Sequence, residues 1–388
     1  MQDVAIAGIG TIGFGKFPDL SASAMANRAF KNALGDCGLK RENVDGLVCH
    51  IGSPRGLDYD EIASLLGLDL RYASQTWAHG RFCGTVLQTA AMAIGNGLAN
   101  TVACVGVFRN TAFSRPGTKG FPGFDENFRE GGGPHAETPH TGMIAPIGGA
   151  AMSFQRYLFE HKNSAQGLAT VALSQRQHAS LNPLAYKQET LNEDDYAASP
   201  YICEPLRRLD CSVPVDTGVV VLLTSLKRAE KLSQPPVRLS AFQGLSGGPN
   251  EFVFGRPGLG IHQRDRFAGT SQGGDEPVFA NSNLRPGDID TLHCYDGFAP
   301  QVLWTLERFG FAPVGQALDW IQGGRIGPGG ELPLNTSGGH LSEGHSNGWG
   351  QTVEIVRQLR GTAGARQVPN CRNALWATTF GDAILYEN

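Results

Sequence analysis

Apolar and polar positions along the N-terminal part of the chain switch repeatedly between strand and helix patterning. Val4-Ala5-Ile6-Ala7 lies in a predicted strand over 3–9, followed by a helix over about 21–35, a strand over 44–50 and a helix over about 59–66. Beyond Cys83, the residues Val86, Ala90, Ala93 and Leu98 recur at spacings of three to five, with Ala91 and Ile94 widening the apolar face. That spacing predicts a buried helix beginning near the cysteine. Thr101-Val102-Ala103-Cys104-Val105-Gly106-Val107 then reads as a strand. Strands alternating with helices imply parallel βαβ units.

The pattern fails over 108–150, where Gly, Pro, His and Phe dominate. A loop this long inside a globular chain is usually functional. Helices resume over 151–181, and Leu209-Asp210-Cys211-Ser212-Val213-Pro214-Val215-Asp216-Thr217-Gly218 leads into an apolar strand, Val219 to Leu223. Residues 224–236 read as a charged helix stopped by Pro235-Pro236, a natural boundary, and a new strand opens at Val237. One internal echo stands out. Val44-Asp45-Gly46-Leu47-Val48-Cys49 and Ile289-Asp290-Thr291-Leu292-His293-Cys294 both follow a polar turn and enter a strand, which suggests a duplicated α/β fold.

Composition narrows the classes. A chain of 388 residues that is 41% hydrophobic can bury a large core, as two domains or one double domain. A net charge of −4 leaves no electrostatic footprint for nucleic acid, and no basic run reads as a membrane-surface patch. No apolar run is long enough to span a bilayer, and Met1 to Gly8 lacks the parts of a signal peptide, so a cytoplasmic protein is expected. The eight cysteines (37, 49, 83, 104, 203, 211, 294 and 371) form no C-x-x-C pair and no zinc-ligand cluster, which points to reduced thiols and no metal. Gly8-Ile9-Gly10-Thr11-Ile12-Gly13 spells a dinucleotide fingerprint, but Phe14 to Pro18 cannot continue a helix, and Phe17 stands where a phosphate loop needs Ser or Thr. The segment reads as a turn.

Candidate chemistry centres on His79-Gly80-Arg81-Phe82-Cys83-Gly84-Thr85-Val86-Leu87-Gln88. A thiol at a helix start meets unpaired N–H groups and the positive end of the dipole, both of which favour the attacking thiolate. This segment resembles the nucleophile motif of thiolases. Leu334-Asn335-Thr336-Ser337-Gly338-Gly339-His340 through Glu343-Gly344-His345-Ser346-Asn347-Gly348 is similar to the family's C-terminal N-x-x-G-G…G-H motif. Tyr295-Asp296-Gly297-Phe298, with Leu306 to Phe311 and Leu209 to Gly218, resembles the sterol-carrier-type branch, and the likeness runs through the whole chain in order.

The resemblance implies an α/β chain with a duplicated βαβαβαββ thiolase fold, five layers αβαβα and an inserted loop domain. It places an N-terminal half over 1–235, including a loop region of about 108–165, and a C-terminal half over 236–388. It implies a Cys83 acyl-enzyme, with His345 activating the thiol and hydrogen-bonding a thioester enolate, and with Asp296, Gly339 and Asn335 as oxyanion or support residues. No residues for CoA are assigned; CoA enters as substrate and no cofactor is bound covalently. The departures carry equal weight. A second cysteine, expected near Trp376 to Gly381 or at Gly297, is missing, and Tyr295 stands where Asn or His is expected. Its phenol could replace the missing thiol in proton transfer. Thr85-Val86 in place of Ser-Gly would narrow the acyl pocket.

The first functional expectation is therefore a degradative thiolase acting on a bulky 3-ketoacyl-CoA. The alternative is a CoA-ester retro-aldolase of the steroid side-chain type, using Tyr295 without an acyl-enzyme; a non-catalytic lipid-binding subunit comes third. The resemblance also implies a homodimeric core and a small partner subunit with an OB fold and zinc ribbon. Phe113, Phe121, Phe124 and Phe128 in the long loop make a large acyl group plausible.

Overall fold

The computed structural model describes residues 3–50, 58–76, 83–113, 146–244 and 276–388. Eleven strands are found among them: β1 Val4–Thr11, β2 Gly46–His50, β3 Tyr72–Thr76, β4 Thr101–Arg109, β5 Tyr201–Cys203, β6 Leu206–Arg207, β7 Asp216–Ser225, β8 Val237–Gln243, β9 Thr291–Cys294, β10 Asn373–Ala377 and β11 Ala383–Glu387. Nine of these form one sheet in the order β3-β2-β4-β7-β1-β8-β11-β10-β9, and β5 pairs with β6 apart from it. The helices are α1 Ala22–Cys37, α2 Tyr59–Leu66, α3 Cys83–Gly95, α4 Pro146–His161, α5 Ala169–Ser180, α6 Glu193–Ala198, α7 Leu226–Ala229, α8 Pro277–Ala280, α9 Pro300–Arg308, α10 Ala317–Trp320, α11 Gly339–Ser342 and α12 Trp349–Leu359.

The sheet reads the same way outward from its centre. On one side β1-β7-β4-β2 runs antiparallel, antiparallel, parallel. On the other, β8-β11-β10-β9 repeats that sequence. The two sides meet where β1 pairs with β8 over Ala5↔Arg238 and Ile6↔Val237. The internal echo falls on β2 and β9, the equivalent positions, and its aspartates do the same work. Asp45 accepts from the N–H groups of Asn100 and Thr101 at 2.8 Å each. Asp290 accepts from Arg372 and Asn373 at 2.8 and 2.9 Å. Each carboxylate therefore ties the entry of its own strand to the start of the parallel neighbour.

Alternation in the strands sorts the layers. Ala5, Ala7, Leu47, Cys49, Ala103, Val105, Val220 and Leu222 face Met25, Ala29, Phe30 and Ala33 of α1 and Ile62 and Leu66 of α2. The opposite face, with Val4, Ile6, Val48, Cys104 and Val221, packs on Cys83, Val86, Leu87 and Ala90 of α3 and on Trp349, Val353 and Val356 of α12. Helix α12 also touches β9 and β10, while α8 and α9 pack on the β8-to-β9 side. Helices α1 and α2 thus cover one face of the β1-β7-β4-β2 side and α3 and α12 the other, with α12 reaching both sides of the one sheet. Each fully buried leucine-sized side chain there contributes about 2 kcal/mol.

Several local expectations need correction. The glycine fingerprint is not a turn over most of its length: Gly8 to Thr11 lie in β1, and a Cβ on Gly8 would stand 2.5 Å from the Ala33 carbonyl oxygen, so β1 and α1 lie too close for side chains there. The predicted helix over 224–236 shrinks to α7, Leu226–Ala229: Thr224 and Ser225 belong to β7, and at the other end Pro235 bars helical geometry at Gln234. The strand β4 runs on to Arg109 and α4 begins at Pro146, so regular structure occupies both ends of 108–150. The edge strand β3 has no apolar signal, since its residues alternate between exposed and half-buried. His79 to Phe82, Phe121, Phe124, Phe128 and the Phe113 side chain lie outside the described residues, as does most of the loop region. All eight cysteines are free thiols. Among the described residues no helix is long and apolar enough to cross a membrane, and no group of three His, Cys, Asp or Glu could hold a metal ion.

Candidate active site

Cys83 opens α3 as expected, and its N–H donates to the Asn347 carbonyl at 2.9 Å. Its thiol does not behave as expected. The residue is fully buried, Thr352 Oγ1 donates to Sγ at 3.4 Å, and burial pushes the thiol up to about 12. Trp376 closes the space beside it, since a Cβ on Gly84 would stand 2.5 Å from that indole. Burial raises the thiol where a helix start alone would lower it.

A different group assembles around the turn after β9. Tyr295 Oη lies 3.2 Å from His345 Nε2, and Ser212 Oγ lies 3.4 Å from His345 Nδ1. His340 stacks edge-on against both rings, with centroids 5.0 Å from Tyr295 and 4.9 Å from His345. The Tyr295 N–H donates to Ala377 of β10, which fixes the tyrosine at the end of the sheet. Gly297 explains the fit of the phenol. A Cβ there would stand 3.1 Å from Tyr295 Oη and 3.1 Å from Gln301 Oε1, so the phenol fills the volume into which a side chain at 297 would project.

The three support residues converge here too. Asp296 is fully buried; its Oδ1 accepts from the His340 N–H at 3.0 Å and from Gln351 Nε2 at 2.8 Å, and its Oδ2 accepts from the Leu341 N–H at 3.4 Å. His340 Nδ1 also lies 3.0 Å from Oδ1, but off the angle of a good hydrogen bond. On the other side of that ring, Nε2 accepts from the Gly348 N–H at 3.1 Å. Asn335 adopts a left-handed φ of 51° and pairs with Cys294 in both directions, its Oδ1 accepting from the N–H at 2.9 Å and its Nδ2 donating to the carbonyl at 3.1 Å. Asn335 Oδ1 also accepts from Gln351 Nε2 at 3.2 Å, so its amide ties the start of the turn to α12. Gly339, at φ 57°, lets Asp296 Oδ2 come too close for any side chain.

The loop carrying His345 is held from several directions. The His345 N–H donates to Val213, its carbonyl accepts from Asn110 Nδ2 at 2.9 Å, and the Val213 N–H donates to His340. Below the loop, Glu343 is fully buried between Ser337 and Asn182, and burial pushes its carboxyl up to about 8. Burial alone would also raise the neighbouring Glu354, but its two contacts with Arg366, at 3.0 and 2.8 Å, bring it below the usual carboxylate value. Cys294, the thiol nearest in sequence to Gly297, is fully buried and raised well above its ordinary value by desolvation. Sequence reasoning assigned no role to His340, Ser212, Asn110 or Gln351. The first two stand inside quoted motifs, whereas Asn110 and Gln351 become visible through contacts with residues far away in the chain.

The sheet and the helices packed on it define a thiolase-like fold with a polar site at one end of its strands. Residues 263–384 match the family model described as "Thiolase C-terminal domain-like". The chain is 34% identical over 365 residues to a steroid side-chain-cleaving aldolase of Thermomonospora curvata, covering 92% of this chain and 90% of that one. It is 33% identical over 371 residues to the 17-hydroxy-3-oxo-4-pregnene-20-carboxyl-CoA lyase of Mycobacterium tuberculosis, covering 92% of each. Among solved structures it is similar to the Ltp2-ChsH2(DUF35) aldolase, with a TM-score of 0.84, 30% identity, and 99% of this chain and 97% of that chain covered. This chain is an enzyme that belongs to the thiolase superfamily, in its sterol-carrier-type branch.

Proposed function

We propose that this enzyme is a CoA-ester retro-aldolase, the alternative in the sequence reading, rather than an acyl-enzyme thiolase. The observation that carries the proposal is the contrast between a sealed Cys83 thiol raised to about 12 and a Tyr295 phenol 3.2 Å from the His345 imidazole. The substrate is a CoA thioester with a hydroxyl on its β-carbon. Tyr295 Oη takes the hydroxyl proton as its own proton passes to His345 Nε2. The bond between the α- and β-carbons breaks, the β-carbon becomes a carbonyl, and the bonding pair stays on the thioester as an enolate. The proton returns through Tyr295 to the α-carbon, so the pair ends as it began. No sulfur–carbon bond forms at any stage.

The acyl portion is bulky and ring-bearing, in line with the steroid named in two relatives. A small partner subunit belongs to the same reading, supported by the pairing named in the Ltp2-ChsH2(DUF35) aldolase, and so does a homodimeric core. Asp296, Asn335 and Gly339 hold the tyrosine turn and the histidine loop in register. The test is turnover of a tertiary 3-hydroxyacyl-CoA bearing a ring system, with and without such a partner. The expected products are a ketone and a shorter acyl-CoA, with turnover retained in Cys83→Ala and no acyl adduct by intact mass. An adduct from a 3-ketoacyl-CoA that disappears in Cys83→Ala would restore the thiolase reading.

A further inference from the structure

We infer that Ser212 is a positioning residue for this reaction, selecting the His345 tautomer that carries its proton on Nδ1. The inference rests on the retro-aldol reading and deepens it. A phenol that hands its proton to His345 needs a lone pair on Nε2, which requires the neutral ring to be protonated at Nδ1. Nothing intrinsic to an imidazole ensures that choice; it is set by the hydrogen bond at the other nitrogen.

Ser212 Oγ is the hydroxyl at that nitrogen, 3.4 Å from Nδ1, and the phenol stands on the opposite side of the ring. The distance is long for a hydrogen bond, as catalytic contacts often are before substrate closes a site. The placement of Ser212 is built into the backbone rather than left to a mobile side chain. Its N–H donates to the Gly297 carbonyl at 3.0 Å, within the turn that carries Tyr295. The next residue brackets the histidine loop: the Val213 N–H donates to His340 at 2.9 Å, and the Val213 carbonyl accepts from the His345 N–H at 2.8 Å. Pro214 completes a parallel bridge to His345. One three-residue segment thus ties the tyrosine turn to the histidine loop and delivers a hydroxyl to the imidazole. With Oγ accepting from Nδ1–H, Nε2 presents its lone pair to the phenol, and the imidazolium formed during turnover keeps a partner on Nδ1. Only protons move: from the substrate hydroxyl to Tyr295, from Tyr295 to His345, and back to the α-carbon.

The experiment pairs a spectroscopic and a kinetic readout on the full chain. Nitrogen-15 NMR of protein labelled at histidine, with the His345 signals identified by their loss in His345→Gln, is expected to show Nδ1–H in the wild type. In Ser212→Ala, part of the population is expected to move to Nε2–H. A wild-type His345 protonated at Nε2 overturns the inference whatever the enzyme turns over. Kinetically, Ser212→Ala should lower kcat about tenfold with KM little changed, and Ser212→Thr, which keeps the hydroxyl, should recover most of the loss. An unchanged kcat in Ser212→Ala, or equal losses in the Ala and Thr variants, overturns it. If the wild type fails to cleave the hydroxyacyl-CoA, the retro-aldol reading falls, and the NMR result still decides the tautomer.

Discussion

Cys83 heads α3 and Tyr295 follows β9 at the end of the sheet, and their surroundings offer the two reactive atoms different things. The thiol starts a helix, where the dipole favours its charged form by about 0.3–1 kcal/mol. Full burial moves it from an ordinary 9.0 to about 12, a penalty of about 4 kcal/mol, so desolvation wins. Tyr295 gains nothing from a helix end, but its phenol meets an imidazole whose second nitrogen faces another hydroxyl. A reactive residue type at a favourable position is therefore insufficient. What matters is whether its polar atom has a partner that can take or give a proton.

The sharpest way to break this comparison is to remove each group in turn. Tyr295→Phe should lower kcat about 100-fold or more in cleavage of a 3-hydroxyacyl-CoA, whereas Cys83→Ala should stay within about threefold of wild type. The reverse ranking in steady-state kinetics would make the thiol the working group. A smaller effect is expected from Gly297→Ala, because the new carbon would press on Tyr295 Oη from 3.1 Å and move it relative to His345. We expect a kcat about tenfold lower with the fold intact by circular dichroism, and unaltered turnover would show that the phenol needs no such room.

Labelling sharpens the thiol side. With its pKa near 12, about one part in ten thousand of Cys83 is thiolate at pH 8. Iodoacetamide at that pH should leave Cys83 unmodified in the folded protein and alkylate it after unfolding, as read by peptide mass mapping; rapid native labelling would contradict its sealed environment. The prediction furthest from catalysis concerns the floor of the histidine loop. Glu343, raised to about 8 by burial, keeps its proton in the folded chain when the unfolded chain has lost it. Its contribution to stability is full at pH below about 4.5 and is lost as pH rises through about 8. Denaturant unfolding should show wild type losing stability relative to Glu343→Gln between those limits, and parallel pH curves for the two would contradict the buried proton.

The echo of Asp45 and Asp290 was legible because a local device recurs: a carboxylate that caps the neighbouring strand needs the same short sequence each time. The glycine run imitates a dinucleotide fingerprint and reads as a turn for a related reason, since close strand–helix packing, phosphate binding and tight turns all favour a residue without a Cβ. The histidine loop was legible as a motif but not as a set of contacts. Its holders, Asn110 and Val213, lie 235 and 132 positions from His345, and no local pattern links residues so far apart.

The sequence by itself determined the alternation of strands and helices, the internal duplication and the residue types available for proton transfer, because these depend on periodicity and on side-chain chemistry. Only the tertiary structure decided which of them can work together. Burial is a property of the packed layers, so the Cys83 thiol is raised by desolvation beside Trp376, and the hydrogen bond that Thr352 donates to it offsets only part of that rise. Partnership depends on distance in space, so Tyr295 and His345, with Ser212 behind them, became a connected set only when three remote segments met at one end of the sheet.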